Sequence, residues 1–232
     1  MMHFWKPNMI RFMKNASEHT EYHTALAKSI LSRLGPEPTI CDAGCGLGYL
    51  SLELSKGAKK VIAVDSNPAP LAVLKENIAK RGITNIEVAC TDLEEFTQPE
   101  SICVMVYCFF GDGALICETA KRSGAKLAIA ISSVKGHKMP NREDIRERLT
   151  RMGAKFEEER LELALDQPFL SKEDALLFFE TYGSTDAYSK MSEEEFLSKL
   201  VEGEDEGFPL VLPIPKHLYM IAFNPTQLPE LI

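Results

Sequence analysis

The chain predicts an α/β protein built on a doubly wound, mostly parallel sheet, and three observations carry that expectation. Short, near-continuous apolar runs recur at residues 39–41, 60–65, 85–90, 101–107 and 126–132, as in strands buried on both faces. Helical periodicity separates them, so residues 38–155 read as five strand–helix repeats. The first three runs end at or within two residues of an acid, Asp42, Asp65 and Asp92, where a parallel sheet presents its ligand-binding loops.

In order along the chain, residues 1–16 mix aromatic, sulfur and basic side chains. Ser17 with Glu18 and Glu21 reads as a helix start, and Tyr22, Leu26, Ile30 and Leu34 follow at helical spacing until Gly35-Pro36 stops it. The run at 39–41 ends in Asp42, and Gly44, Gly46 and Gly48 then alternate with other residues before a helical pattern containing Leu50 and Leu54. Glycine in that rhythm marks a backbone that adopts positive φ or meets a ligand with no Cβ in the way. After the second run, Ser66-Asn67-Pro68 opens a helix over 69–81 that Gly82 ends. The third run is followed by Thr91-Asp92-Leu93-Glu94, with Asp92 either a ligand group or a turn cap. The fourth leads into Cys108-Phe109-Phe110-Gly111-Asp112-Gly113. There Asp112 is a candidate base or the cap of a helix over 114–122. The loop after the fifth run carries Lys135 and His137, and a helix over 141–152 closes at Gly153.

The glycine spacing separates the possible ligands. A dinucleotide turn is written G-x-G-x-x-G with a pyrophosphate on the helix N-terminus; here the order is D-x-G-C-G-x-G over 42–48, and an acid at that turn repels a pyrophosphate but suits an ammonium group. In this form the stretch resembles motif I of the class I S-adenosyl-L-methionine-dependent methyltransferases, and the resemblance extends by position-matched motifs over residues 38–155. It implies a Rossmann-like methyltransferase fold: a seven-stranded sheet whose last strand is antiparallel, with strands 6 and 7 at 156–165 and 217–223. The domains it implies are an N-terminal helical cap (1–37), a cofactor-binding domain (38–165 with 216–226) and an inserted helical lid over the substrate rim (166–215). The lid holds helices at 172–182 and 192–201, then 203–207 and a proline-punctuated stretch to 215.

By the same resemblance Asp42, Gly44, Cys45, Gly46 and Gly48 hold the methionine end of S-adenosylmethionine. Asp65 takes the ribose, Asp92 and Leu93 take the adenine, and Ser66 and Tyr107 complete the cofactor-facing set. Asp65 stands 23 residues after Asp42, a spacing common to nucleoside-binding sheets in general. Phe109, Phe110 and Lys135 are candidates for the acceptor side, and a catalytic base is sought among Tyr22, His23, Asp112 and His137. The histidines of the N-terminal helix either reach the chemistry or are polar surface groups. The Asn/Asp-Pro-Pro-aromatic signature of many amino-methylating relatives is missing after the fourth run, as is the Pro-Cys pair of cytosine-C5 enzymes.

Composition narrows the class further. Six cysteines at 41, 45, 90, 103, 108 and 117 form no C-x-x-C pair, which argues for free thiols and against a metal site. Net charge is −8, with sixteen acids against four bases in residues 156–206; that acidic segment and the lack of a basic stripe argue against a nucleic-acid partner. No apolar run of membrane-spanning length and no signal-like leader occur, so a cytoplasmic protein is expected. The reading is a methyltransferase for a small-molecule acceptor that yields S-adenosyl-L-homocysteine. Its alternatives are a tRNA, rRNA or protein acceptor, a non-catalytic S-adenosylmethionine-binding sensor or subunit, and an NAD(P)-dependent oxidoreductase.

Overall fold

The computed structural model describes residues 5–97, 101–134, 143–185 and 187–229. The chain runs α1 (Pro7–His19), α2 (Tyr22–Leu31), β1 (Thr39–Ala43), α3 (Tyr49–Leu54), β2 (Lys60–Asp65), α4 (Pro68–Arg81), β3 (Ile86–Cys90), β4 (Val104–Cys108), α5 (Gly113–Ser123) and β5 (Leu127–Ser133). Then follow α6 (Ile145–Arg151), β6 (Phe156–Ala164), β7 (Gln167–Phe169), α7 (Lys172–Tyr182), α8 (Glu193–Leu197), β8 (Val201–Asp205), β9 (Phe208–Leu212) and β10 (Pro215–Phe223). The chain divides into two compact units, residues 23–162 with 217–232 and residues 1–22 with 163–216.

The larger unit is organised by a seven-stranded sheet in the order β3-β2-β1-β4-β5-β10-β6. β1, β2, β4 and β5 are buried along nearly their whole length, because helices cover both faces of a parallel sheet. β10 runs antiparallel to β5, with Leu218 opposite Ser133 and Phe223 opposite Ala128. From β1 the chain winds outward through β2 and β3, then returns to start β4 on the other side of β1. That reversal opens a crevice at the carboxyl ends of β1 and β4, the position where such sheets bind ligands. One core of Cys41, Ile62, Met105, Tyr107, Ala128 and Ile221 with their neighbours lies beneath it.

Local signals set the helix ends. Asn67 accepts from the Ala69 amide at 3.0 Å, Pro68 takes the first turn of α4, and Gly82 ends it at φ 63°. The N-terminal region departs from expectation: it forms two helices, broken at Thr20, whose backbone is extended at φ −131°. Pro7 supplies the start of α1, since its missing N–H is one a helix start leaves unbonded anyway, and Phe12 is fully buried.

The smaller unit packs an aromatic core in which the Phe12 ring meets Phe178 edge-on at 5.1 Å and Phe169 at 6.1 Å, with Phe196 stacked on Phe178 at 6.3 Å. Beside its helices it holds a three-stranded sheet, β7-β9-β8. The expected helix over 192–201 is shorter, Glu193–Leu197, and Val201 already begins a strand.

Candidate cofactor-binding site

The glycine turn after β1 is bent back onto β2. The Gly44 and Cys45 amides both donate to the Val64 carbonyl, at 2.8 and 2.9 Å, and the Gly48 amide donates to the Cys45 carbonyl at 2.9 Å. Gly44, Gly46 and Gly48 have φ of 74°, 54° and 73°, the left-handed region that side-chain-bearing residues rarely adopt. A Cβ on Gly48 would lie 2.4 Å from a Leu74 methyl, so the turn also needs glycine for the approach of α4.

Asp65 joins the two turns that follow β1 and β2. Its Oδ2 accepts from the Gly46 amide at 2.9 Å and its Oδ1 from the Asn67 amide at 2.8 Å. A carboxylate oxygen has two lone-pair sites, so both oxygens keep capacity for a ligand diol while the backbone fixes their direction. Ser66, beside it, is exposed, and its carbonyl faces the Cys90 thiol at 3.9 Å. At the end of β3, Asp92 is exposed and its Oδ1 accepts from the Glu94 amide at 3.1 Å, as in a turn cap. Leu93 is buried, its carbonyl fixed by Arg122 at 2.7 Å.

Asp42 is enclosed rather than open: it is 1% exposed, and Ser51 donates to its Oδ2 at 2.5 Å. Burial pushes its carboxyl up to about 6; the Ser51 hydrogen bond opposes that and the nearby Asp65 charge adds to it. Sequence reading missed Ser51, although a lone hydroxyl among the leucines of α3 was the available signal. Cys45 is half-buried, its Sγ 3.9 Å from the Gly46 carbonyl, and burial holds its thiol well above the usual range. The Tyr107 side chain lies in the core with its hydroxyl 2.7 Å from Thr119 Oγ1, so only its main chain lies along the rim.

On the acceptor side the two phenylalanines separate. Phe109 is 43% exposed and adopts φ 56°, a left-handed backbone that is an outlier for a bulky residue and tends to occur at functional sites. Its amide donates to the Ile131 carbonyl at 2.8 Å, which ties the strained residue to β5. The Phe110 ring turns inward and lies where a Cβ on Gly44 would meet it at 3.3 Å, so it backs the glycine turn. Asp112 caps α5, its Oδ1 accepting from the Ala114 and Leu115 amides at 3.1 Å each. Gly113 is a close crossing point that sequence reading passed over: its amide donates to the Glu143 carbonyl at 2.8 Å, and a Cβ there would lie 2.9 Å from that oxygen.

Of the remaining base candidates, His23 packs at 5.7 Å against Tyr49, and burial lowers its imidazole to about 4 although Glu53 pulls the other way. His23 is therefore neutral at pH 7. Tyr22 is buried in the smaller unit, where His19 also lies, 4.2 Å from the Phe208 ring and 3.4 Å from Asp205. Lys135 and His137 lie outside the described residues. Among the described residues no cluster suits a metal ion, all six cysteines are free, and no helix is long and apolar enough to cross a membrane.

The residues present fit S-adenosylmethionine. The turn carries no side chain at three positions, an oriented carboxylate stands at the end of β2, and a capped acid beside a buried leucine stands at the end of β3. Residues 40–132 match the family model described as a methyltransferase domain. The probable ribosomal RNA small subunit methyltransferase A of Methanosphaera stadtmanae is 44% identical over 54 residues, 23% of this chain and 20% of that protein. A probable cobalt-precorrin-6B C(15)-methyltransferase of Methanobrevibacter smithii is 36% identical over 58 residues, 25% of this chain and 31% of its own length. The matches thus span under a third of these relatives. In fold, the crystal structure of the [4+2]-cyclase SpnF superposes with a TM-score of 0.57 at 15% identity, over 94% of this chain and 93% of that one. Solved methyltransferases share the same fold. Over residues 40–132 the chain is thus similar to a methyltransferase domain.

Proposed function

We propose that the protein is a cytoplasmic enzyme that methylates a small-molecule acceptor at the carboxyl ends of β4 and β5. The observation that carries this is the convergence of the glycine turn, Asp65 and Asp92 at the ends of three neighbouring strands beside the crevice between β1 and β4. Gly44, Gly46 and Gly48 let a ligand lie against main chain, Asp65 accepts from the ribose hydroxyls, and Asp92 with the Leu93 amide meets the adenine edge. Buried Asp42 places negative charge beneath the turn, toward the ligand ammonium. S-adenosylmethionine, when bound, supplies an electrophilic methyl on a sulfonium, and this chain's part is to hold, align and dehydrate, which accounts for much of the rate in such displacements. Exposed, strained Phe109 walls the acceptor, and acceptor choice is assigned to the smaller unit.

Calorimetric titration with S-adenosylhomocysteine, S-adenosylmethionine and NADH tests the reading. Micromolar binding of the first two and none of NADH is expected; binding of NADH alone would sink it. Asp65→Asn keeps an acceptor for one of the two backbone amides, Gly46 or Asn67, sets a donor against the other and loses the charge, so affinity for S-adenosylhomocysteine should fall by about 2 kcal/mol or more. The ribosomal RNA methyltransferase among the relatives favours a second reading, an RNA acceptor. Methyl incorporation into total RNA, with no turnover of small molecules, would select it.

A further inference from the structure

The antiparallel β10 brings its first residues to the same rim on which β4 and β5 end. His217 stands there, its carbonyl accepting from the Val134 amide at 2.9 Å directly after β5. Its Nδ1 lies against Oε2 of Glu162 on β6. In the neutral imidazole this fixes the proton on Nδ1 and leaves Nε2 with a lone pair, and the side chain is 52% exposed. Two residues down the strand, Tyr219 is flanked by the guanidinium groups of Arg146 at 5.1 Å and Arg160 at 5.3 Å, with Arg146 paired to Glu158 at 2.7 Å. Among the described residues, none of these charged groups pairs with the His217 ring.

Across β5 stands Phe109. β5 lies between β4 and β10, with Cys108 opposite Ile131 and Leu218 opposite Ser133, so Phe109 and His217 flank its carboxyl end at about 10 Å lateral spacing, and an aromatic ring lying over that end would face both. We infer that His217, oriented by Glu162, is the base that takes a proton from the acceptor, and that the acceptor is a hydroxylated aromatic ring set between Phe109 and His217. This rests on the methyl-transfer reading above. A phenolic hydroxyl titrates near about 10, so at neutral pH it needs a base as it attacks, and a positioned imidazole suits that task. The acceptor oxygen bonds to the methyl carbon as the carbon–sulfur bond breaks and its electron pair passes to sulfur. The hydroxyl proton passes to Nε2 of His217, the Glu162 carboxylate holds the imidazolium, and solvent then takes the proton.

The experiment uses the full chain with S-adenosylmethionine and two acceptors at pH 8, phenol and the more acidic 4-nitrophenol, which is already largely ionised there. His217→Gln should lose about 100-fold or more of its turnover on phenol while keeping turnover of 4-nitrophenol, with S-adenosylhomocysteine affinity unchanged. Imidazole 15N NMR gives a readout independent of turnover: His217 should hold the Nδ1-protonated tautomer, and Glu162→Gln should release it to a mixture. Equal loss on both acceptors, an unchanged tautomer in Glu162→Gln, or a wild-type protein that binds S-adenosylhomocysteine yet methylates neither phenol overturns the assignment. Failure to bind S-adenosylhomocysteine overturns the proposed function instead.

Discussion

Two buried groups of the larger unit pull stability in opposite directions over one pH window. Asp42 ionises near the ordinary carboxylate value of 3.8 when unfolded and at about 6 when folded. As pH rises through that window the unfolded chain has released the proton and the fold has not, so the wild-type fold is weakened by up to about 3 kcal/mol. His23 falls from 6.5 to about 4 on folding; here the unfolded chain binds the extra proton, so stability is lost as pH falls from about 6.5 toward 4. The two slopes largely offset. Asp42→Asn removes one of them, so beyond any constant offset its stability relative to wild type should rise between pH 4 and 7, read from urea melts at each pH. A pH-independent difference would mean that Asp42 is not a buried acid. Gly48→Ala probes the turn itself: at φ 73° with Leu74 2.4 Å from the new Cβ, it should cost about 2 to 4 kcal/mol, and a loss below about 1 kcal/mol would contradict the turn geometry. The acids and glycines at these positions were legible because each is dictated by local backbone or by its place at a strand end. Ser51 and Gly113 were not, since each role depends on how the chain folds back: Ser51 reaches Asp42 across the glycine turn, and Gly113 meets the Glu143 carbonyl of a later segment.

Elements with local start and stop signals were read to within a residue or two. α4 has Asn67, Pro68 and Gly82 at its ends, and α5 has Asp112 and Gly124. The break between α1 and α2 was missed because the helical spacing of Tyr22, Leu26 and Ile30 hid a separate start at Pro7. The β8–β9 hairpin was missed for a related reason: its sequence carries strand breakers. Pro209 sits where the register shifts between Glu202 and Asp205, so its lack of an N–H falls at an irregularity. Gly203 is there because a Cβ would come 2.1 Å from the Phe208 carbonyl. Neither fact is visible before the strands are paired. Asp112 Oδ1 accepts from two amides at the start of α5, the geometry of the cap reading. Asp112→Ala should therefore lower stability by about 1 kcal/mol and leave methyl transfer per folded molecule within a few-fold of wild type. A loss of several hundred-fold without unfolding would restore it as the base.

The division of the chain into two units bears on how binding and acceptor choice are separated. Phe12 of the N-terminal helix is built into the same aromatic core as Phe169, Phe178 and Phe196, so the N-terminal helix and the insertion stand or fall together. Excising residues 171–207 alone would strand Phe12 without its partners and confuse unfolding with loss of a lid. The neck of the insertion offers a cleaner cut, because the Leu165 amide donates to the Ile214 carbonyl at 3.0 Å and the Ile214 amide to Asp166 at 2.7 Å, closing the two ends on each other. A short linker joining 164 to 215, together with removal of residues 1–20, takes away the aromatic core as a whole. The remaining sheet keeps the glycine turn, Asp65, Asp92, Phe109 and the His217–Glu162 pair. It should bind S-adenosylhomocysteine within about tenfold of the intact protein, a change of about 1.4 kcal/mol, and lose discrimination among acceptors. If cofactor affinity is lost while circular dichroism shows an intact α/β fold, the excised residues take part in cofactor binding. If acceptor preference survives the excision, selection belongs to the rim of the sheet, with Phe109 its first determinant.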